Sequence, residues 1–159
     1  MTSDQTPPLP RIVALHDHGH ADDRIALTHE DRLLRRKRLR AASGLEFLAD
    51  FPKATELQAG AVLVLSTGDH VQVVAAPEPL LEVRGDLPRL AWHIGNRHAP
   101  CEIRADALRI RHDHVMADML RRLGAVLLEI DAPFTPEGGA YGHGRTFGHD
   151  HGAHGHSHD

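Results

Sequence analysis

Apolar and polar positions follow different rhythms in the two halves of this chain. Between residues 11 and 76 the apolar residues come in short runs separated by polar turns, with almost no helical periodicity. This pattern is typical of a small all-β module. The runs predict six strands, over Arg11–Leu15, Arg24–Thr28, Arg38–Ala42, Leu45–Asp50, Val62–Leu65 and Val71–Ala75.

Glycines and prolines mark the ends of these elements. Ser43-Gly44 and Thr67-Gly68 each separate two apolar runs, which predicts two hairpins, the first with a two-residue loop. Pro77-Glu78-Pro79 then interrupts the pattern, because proline lacks a backbone donor and restricts the residue before it. We place a domain boundary after residue 76.

The second half alternates between strand and helix patterns. Asp86 is predicted to cap a first helix, with Pro88 in its first turn, and Asp113 a second helix that Gly124 ends. The apolar stripes are Leu87, Leu90, Ala91, Ile94 and His98 in the first helix, and Val115, Met116, Met119, Leu120 and Leu123 in the second. Both stripes have helical spacing.

Four strands complete the second half. They are predicted over Leu80–Val83, Cys101–Ala105, Leu108–His112 and Ala125–Ile130, the last as a continuous apolar run of the buried type. The order β-α-β-β-α-β is that of a ferredoxin-like domain. The predicted fold class is α+β, with an all-β domain over residues 1–76, a ferredoxin-like domain over 77–134, and a disordered tail over 135–159.

The tail carries six of the fifteen histidines in the chain. It has too few apolar residues to bury a core, so its imidazoles act in water, where the neutral ring binds nickel, copper and zinc. Glycine, aspartate, alanine and serine interrupt the histidines, whereas an expression tag is an unbroken histidine string. The tail residues that we predict to bind metal are His149, His151, His154, His156 and His158.

Charge, cysteine content and hydropathy argue against nucleic-acid binding, an intrachain disulfide and a membrane span. The formal net charge is −4 with neutral histidines, which gives no general attraction to nucleic acid. Cys101 is the single cysteine, so no intrachain disulfide forms. No apolar run approaches the ~20 residues that span a bilayer, and the N-terminus has no apolar signal segment. We expect a cytoplasmic protein that binds neither nucleic acid nor membrane.

Three histidines of the folded part are candidate metal ligands. His98 ends the first helical stripe, where its ring either serves a structural role near the helix dipole or faces a partner protein. One histidine cannot hold an ion alone, but a two-fold dimer would bring two copies together. His112 and His114 share a face of an extended segment, about 7 Å apart, and either bridge one ion or remain solvated surface rings.

Other polar features are weaker signals. His16, His18 and His20 are compatible with weak metal binding or with a polar loop. The basic run of residues 35–38 lacks interleaved aromatic side chains for base stacking, so it is a solvated strand face or a surface for an acidic protein. Cys101 is left off the ligand set, because free cysteine is more often buried. No phosphate loop, Gly-x-Ser-x-Gly or His-Glu-x-x-His motif is present, and we expect no catalysis.

Several segments resemble the UreE family of urease accessory proteins. In the second half these are Trp92-His93-Ile94-Gly95-Asn96-Arg97-His98, Asp113-His114-Val115 with Met119-Leu120, and Pro136-Glu137-Gly138-Gly139-Ala140-Tyr141 before the histidine tail. Upstream they are Leu27-Thr28-His29-Glu30-Asp31-Arg32 and Ala76-Pro77-Glu78-Pro79-Leu80. The resemblance covers essentially the whole folded chain.

The resemblance implies a nickel metallochaperone that delivers Ni(II) for assembly of the urease active site. Family members have a β-rich N-terminal domain for partner or peptide binding and dimerise through a ferredoxin-like second domain. By motif match, His98 of each protomer is the interfacial nickel ligand, His112 and His114 are secondary metal positions, and tail histidines supplement the interfacial site. The implied partners are the GTPase UreG and, through it, apo-urease with its other accessory proteins.

Two other functions stay open from the residues alone. A general buffer of zinc, copper or nickel would bind these ions through the tail and be indifferent to His98. An adaptor that uses the β domain and its basic run would bind its partner equally with or without nickel. Zn(II) or Cu(II) is expected to compete for the same imidazoles in every case.

Overall fold

The computed structural model describes residues 7–138, which form two compact units. Within this range, one unit comprises residues 7–26 and 32–74, and the other comprises residues 27–31 and 75–138. The short segment 27–31 therefore belongs to the second unit, although it precedes most of the first in sequence. The domain limits 1–76, 77–134 and 135–159 stay a prediction.

The N-terminal elements are almost all strands. They are β1 (Ile12–His16), β2 (Asp23–Leu27), the four-residue helix α1 (His29–Arg32), β3 (Leu33–Arg40), β4 (Glu46–Glu56), β5 (Val62–Leu65) and β6 (His70–Ala75). Strands β1, β5, β6 and β2 form a four-stranded sheet in that order, while β3 pairs with β4. Phe47, Leu63 and Val71 are fully buried in the core of the first unit.

Both predicted hairpins form, but their loops have three residues. The N–H of Ala41 donates to the carbonyl of Leu45 at 2.9 Å, with three residues between them, and Gly44 has φ +96°. The second hairpin repeats this bonding, with Gly68 at φ +90°. The predicted two-residue loop was wrong, because a turn followed by one left-handed glycine also closes a hairpin.

The second unit has the predicted ferredoxin-like topology. Its elements are β7 (Pro77–Arg84), α2 (Leu87–Asn96), β8 (Glu102–Ile103), β9 (Leu108–Arg111), α3 (His114–Arg122) and β10 (Val126–Pro133). The sheet order is β10-β7-β9-β8, and every pairing is antiparallel. Among residues 7–138, no helix is long and apolar enough to cross a membrane.

One apolar core joins both helices of the second unit to its sheet. Its most buried members are Leu81, Val83, Leu90, Ile94, Leu108, Ile110 and Leu120. Burying one such side chain contributes about 1.5–3 kcal/mol. The two helices start where the sequence predicted, because Asp86 accepts a hydrogen bond from Arg89 N at 3.4 Å and Asp113 accepts from Val115 N at 2.8 Å.

Strand β10 differs from its prediction as a buried strand. It is an edge strand of the sheet and pairs with β7 alone among the described residues. Leu127 packs against the helix-facing core, whereas Val126 and Leu128 point the other way and are 67% and 57% exposed. The prediction was wrong because a continuous apolar run does not say whether both faces of its strand are covered.

Candidate metal centre

His98 lies just beyond the C-terminal end of α2. Its N–H donates to the carbonyl of Gly95 at 2.9 Å, and the N–H of Ala99 donates to the carbonyl of Ile94 at 3.4 Å. These two bonds form a Schellman motif, in which the residue after the helix cap is left-handed. His98 was expected to continue the apolar stripe of α2, but this turn takes it out of the helix. Its ring is exposed.

The backbone of His98 is strained. Its φ is +56°, and no other non-glycine residue has a positive φ in the described part of the chain. This conformation costs an L-residue roughly 1–2 kcal/mol, and glycine usually occupies the position. Backbone strain of this kind concentrates at functional sites. The exposed ring of His98 is therefore a candidate for a functional role.

An apolar surface lies on the outer side of α2 and α3. Trp92 and Val115 are 63% and 64% exposed, and the rings of Trp92 and His93 meet edge to face at 5.0 Å. His93 and Val115 line a groove of about 490 Å³, together with Arg97 and Met119. Large exposed apolar side chains of this kind are candidates for an interaction surface. Trp92 and His93 of this surface lie on α2, the helix that ends at the turn of His98.

His112 and His114 lie at the junction between β9 and α3. Their ring centroids are 5.3 Å apart with an interplanar angle of 87°. Asp113 between them caps α3, since one of its oxygens accepts from both Val115 N and Met116 N. The sequence prediction of a cap at Asp113 is confirmed.

Glu129 on β10 was missed by the sequence analysis. Its Oε1 lies 2.5 Å from Nε2 of His112. The two residues are 17 positions apart in sequence, and only the order of strands in the sheet brings them together. The one signal in the sequence was an acidic residue inside the apolar run of residues 125–130.

The residues that follow His98 border the same cleft as His112. Ala99 and Pro100, which follow His98, line a cleft of about 360 Å³ together with His112 and Asp113. Both segments therefore belong to the same side of the second unit. The ring of His98 itself is not among the groups that line this cleft.

Cys101 is half-buried and packs against the apolar core. Burial raises the pKa of its thiol to about 11, and the charges of Glu137 and Glu102 add to the effect. The thiolate is the form that binds metal. Cys101 is therefore a poor ligand near neutral pH, although it is only three residues from His98.

The segment after β10 is held beside the loop that follows His98. Glu102 accepts hydrogen bonds from N and Oγ1 of Thr135 at 2.9 and 3.2 Å. The N–H of Glu137 donates to the carbonyl of Cys101 at 2.8 Å, and Phe134 is fully buried. Residues 134–138 contain no helix or strand, yet they are fixed at these points. The glycine, proline and histidine content after Pro133 predicts little fixed structure, whereas these bonds hold residues 134–138. The tail thus starts close to the His98 turn.

The N-terminal histidine cluster is not assembled into a site among the residues that the structure describes. His16, His18 and His20 are exposed, and Nε2 of His20 lies 3.7 Å from a carboxylate oxygen of Asp22. Within residues 7–138, no three histidine, cysteine, aspartate or glutamate side chains lie close enough to hold one ion. The five predicted tail ligands, His149, His151, His154, His156 and His158, lie outside the described residues.

Comparison with known proteins agrees with this architecture. Residues 6–76 match the N-terminal domain of the UreE urease accessory protein, and residues 69–159 match its C-terminal domain. The urease accessory protein UreE of Rhodobacter capsulatus is 56% identical over 142 residues, which cover 89% of this chain and 91% of that protein. The protein of the same name from Paracoccus denitrificans (strain Pd 1222) is 59% identical over 128 residues, 80% of this chain and 82% of the relative.

The chain belongs to the UreE family of urease accessory proteins. This confirms the resemblance seen in the sequence and the two-domain α+β architecture. The family is one of accessory proteins rather than of catalytic enzymes.

Replacing His98 by glycine should stabilise the fold. Glycine adopts φ +56° without a Cβ penalty, so His98→Gly should unfold with a free energy about 1 kcal/mol higher than His98→Ala, which loses the same ring but keeps the Cβ. Urea unfolding of the two metal-free variants at one protein concentration measures this difference. Equal stabilities would show that the left-handed turn carries no strain.

Alkylation of Cys101 should be slow at neutral pH. With a pKa of about 11, only ~0.1% of the thiol is ionised at pH 8, and the rate should rise about tenfold per pH unit up to pH 10. Iodoacetamide labelling followed by mass spectrometry gives the rates, with the urea-unfolded chain as control. A rate that levels off near pH 9 in the folded protein would contradict the assignment.

Removing the charge of Glu102 should lower the free energy of unfolding at neutral pH, and this effect should disappear in acid. Burial raises the pKa of Glu102, but the bonds from Thr135 and Arg104 and the charge of Arg109 outweigh it, so the net pKa is lowered from 4.5. A lowered folded-state pKa stabilises the protein above the unfolded-state value, and this contribution is lost as pH falls through the folded-state pKa.

Glu102→Gln should therefore cost about 1–2 kcal/mol at pH 7 and progressively less below pH 4.5. Urea unfolding of both proteins at several pH values gives the difference in unfolding free energy. Asp118→Asn, which alters an exposed carboxylate on α3, is the control. A difference between wild type and Glu102→Gln that does not change with pH would contradict the assignment.

Proposed function

We propose that this chain is a nickel metallochaperone that delivers Ni(II) for assembly of the urease active site. The observation that carries the proposal is the exposed imidazole of His98, held in a strained turn beside an apolar surface, in a member of the UreE family. His98 of each protomer supplies one nickel ligand at the interface of a homodimer. His112 and His114 form a secondary metal position.

The apolar surface of α2 and α3 supports a dimer through the second domain. In a two-fold dimer each residue of the interface meets the same surface of the partner chain. Trp92 and Val115 supply large apolar side chains that are exposed in the single chain. Side chains that a dimer interface buries are expected to be exposed in this way when the partner is absent. Two copies of His98 at such an interface provide half of a four-coordinate site, which leaves positions for other imidazoles.

The anchored segment after β10 supports a contribution from the tail. The N–H of Glu137 donates to the carbonyl of Cys101, which is three residues beyond His98. The start of the tail is therefore held near the His98 turn. A short connection raises the effective concentration of the tail imidazoles near that turn. His149, His151, His154, His156 and His158 supplement the interfacial site and raise the capacity for metal.

Few imidazole ligands suit an ion that has to be released. Neutral nitrogen ligands without a closed cage of thiolates can be exchanged one at a time. Protons compete for each imidazole nitrogen, so nickel affinity falls as pH decreases. Cu(II) and Zn(II) bind the same ligands, and the supply of metal in the cell selects the cargo. The recipients are the GTPase UreG and the complex of apo-urease with its accessory proteins, in the cytoplasm.

Nickel titration of truncated proteins tests the interfacial site. A chain that ends at Tyr141 should keep one tightly bound nickel per two chains, because the two His98 rings remain. His98→Ala in the same truncated chain should abolish this binding. Calorimetry gives the stoichiometry and affinity, and a parallel measurement of mass gives the oligomeric state.

The control is His70→Ala in the truncated chain, because His70 is exposed and lies in the first unit. It should leave the tight nickel site unchanged. If truncation alone removes tight binding and His98→Ala changes nothing further, the protein is a general buffer of divalent metals and the role of His98 is refuted.

A further inference from the structure

A carboxylate contacts one of the two histidines at the start of α3. Glu129 lies on edge strand β10, and His112 follows the end of β9, with β7 between these strands. Strands two places apart in a sheet are separated by roughly 10 Å. Glu129 is in register with Leu81 of β7, so both side chains reach across this strand to meet, with Oε1 and Nε2 2.5 Å apart.

This contact fixes which ring nitrogen of His112 carries a proton. An ionised carboxylate only accepts hydrogen bonds, so Nε2 of His112 is the donor. In a neutral ring the other nitrogen, Nδ1, then keeps its lone pair and is the atom available to a metal ion. Histidine ligands in metalloproteins commonly donate their second N–H to a carboxylate in this way, which fixes the tautomer and the ring orientation.

The surroundings of His112 contain a second imidazole and room for an ion. The ring of His114 is 5.3 Å from that of His112, centroid to centroid. Both histidines and Glu129 line a cleft of about 480 Å³. Asp113 is committed to capping α3, so it is not the group that orients His112. Glu129 is the carboxylate that contacts this ring.

We propose that Glu129 is the positioning residue of a two-histidine site for a borderline divalent cation such as Ni(II), Cu(II) or Zn(II). It holds His112 as the Nε2–H tautomer, and His112 Nδ1 and the His114 ring bind the ion. Glu129 acts through the ring and does not itself bind the ion. The inference rests on the proposed function, since it specifies the secondary metal position.

A simple surface ion pair is the competing explanation. The side chain of Glu129 is 76% exposed and that of His112 is 30% exposed, and exposed pairs contribute little to stability. An ion pair of this kind would not need one fixed tautomer, and its loss would not alter the affinity of the site for metal beyond a small electrostatic change. The tautomer and the metal affinity therefore separate the two explanations.

The first test is the tautomer of His112 in the metal-free full chain, read from the nitrogen shifts of its ring by NMR. Wild type should show the Nε2–H form. Glu129→Gln should keep it, because the amide oxygen still accepts a hydrogen bond, whereas Glu129→Ala should give a mixture of tautomers. An Nδ1–H ring in wild type, or an unchanged tautomer in Glu129→Ala, would overturn the proposal.

The second test is a zinc titration of the full chain. A metal buffer sets the free Zn²⁺ concentration, so that zinc bound by the tail does not change it. The ring signals of His112 and His114 should respond together. The free Zn²⁺ concentration at the midpoint of this response should be 10- to 100-fold higher in Glu129→Ala than in wild type. In Glu129→Gln it should lie close to the wild-type value. Asp131→Ala, which removes an exposed carboxylate two residues further along β10, should leave the midpoint unchanged.

The outcomes separate this inference from the proposed function. Rings that do not respond to zinc in wild type, or an equal midpoint in Glu129→Ala, would refute the role of Glu129 whatever happens at His98. Loss of the interfacial nickel site in calorimetry, with the tautomer and zinc midpoints as expected, would refute the chaperone proposal and leave the two-histidine site standing.

Discussion

The packing of two helices on one face of a four-stranded sheet is the constraint on which the candidate sites of this protein depend. Leu90 and Ile94 of α2 and Leu120 of α3 are buried against the sheet. This packing fixes where α2 ends and where α3 begins, and these two points carry His98 and His112. The apolar core therefore positions the backbone at both histidines, and the contact with Glu129 then orients the ring of His112.

The end of α2 shows a conflict between stability and chemistry. A Schellman motif stabilises the helix end by satisfying two carbonyls, and it places one residue in the left-handed region. Histidine at that position raises the energy of the native state, while it presents an exposed ring beside an apolar surface. The core around Ile94 and Ala99 holds the turn in place against this strain. Natural proteins retain such costs where a side chain is needed for function.

The proposed metal transfer is consistent with the arrangement of candidate ligands in the second unit. Its candidate ligands are the exposed His98 and the exposed pair of His112 and His114, while burial keeps Cys101 as a thiol. An ion at such a site keeps free coordination positions for the next ligand. The anchor formed by Glu102 and Thr135 brings the start of the histidine tail to the same region.

Local patterns in the sequence determined much of this architecture. Some signals act through interactions within a few residues, and the elements that they predicted were confirmed. These signals are the alternating apolar runs, the caps Asp86 and Asp113, and the glycines after apolar segments. The order of elements then determined the ferredoxin-like topology, because few arrangements of two helices and four strands bury both apolar stripes. The histidine spacing and the family motifs identified His98, His112 and His114 as candidates.

Contacts between distant segments were decided only by the tertiary structure. The exposed face of β10 follows from its place at the sheet edge, which depends on how the strands pair. The left-handed conformation of His98 follows from the chain reversal that packs Ala99 on the core. The contact between Glu129 and His112 and the anchoring of Thr135 join residues 17 and 33 positions apart. No local pattern encodes such pairs, because their energy arises only after the sheet has brought the strands together.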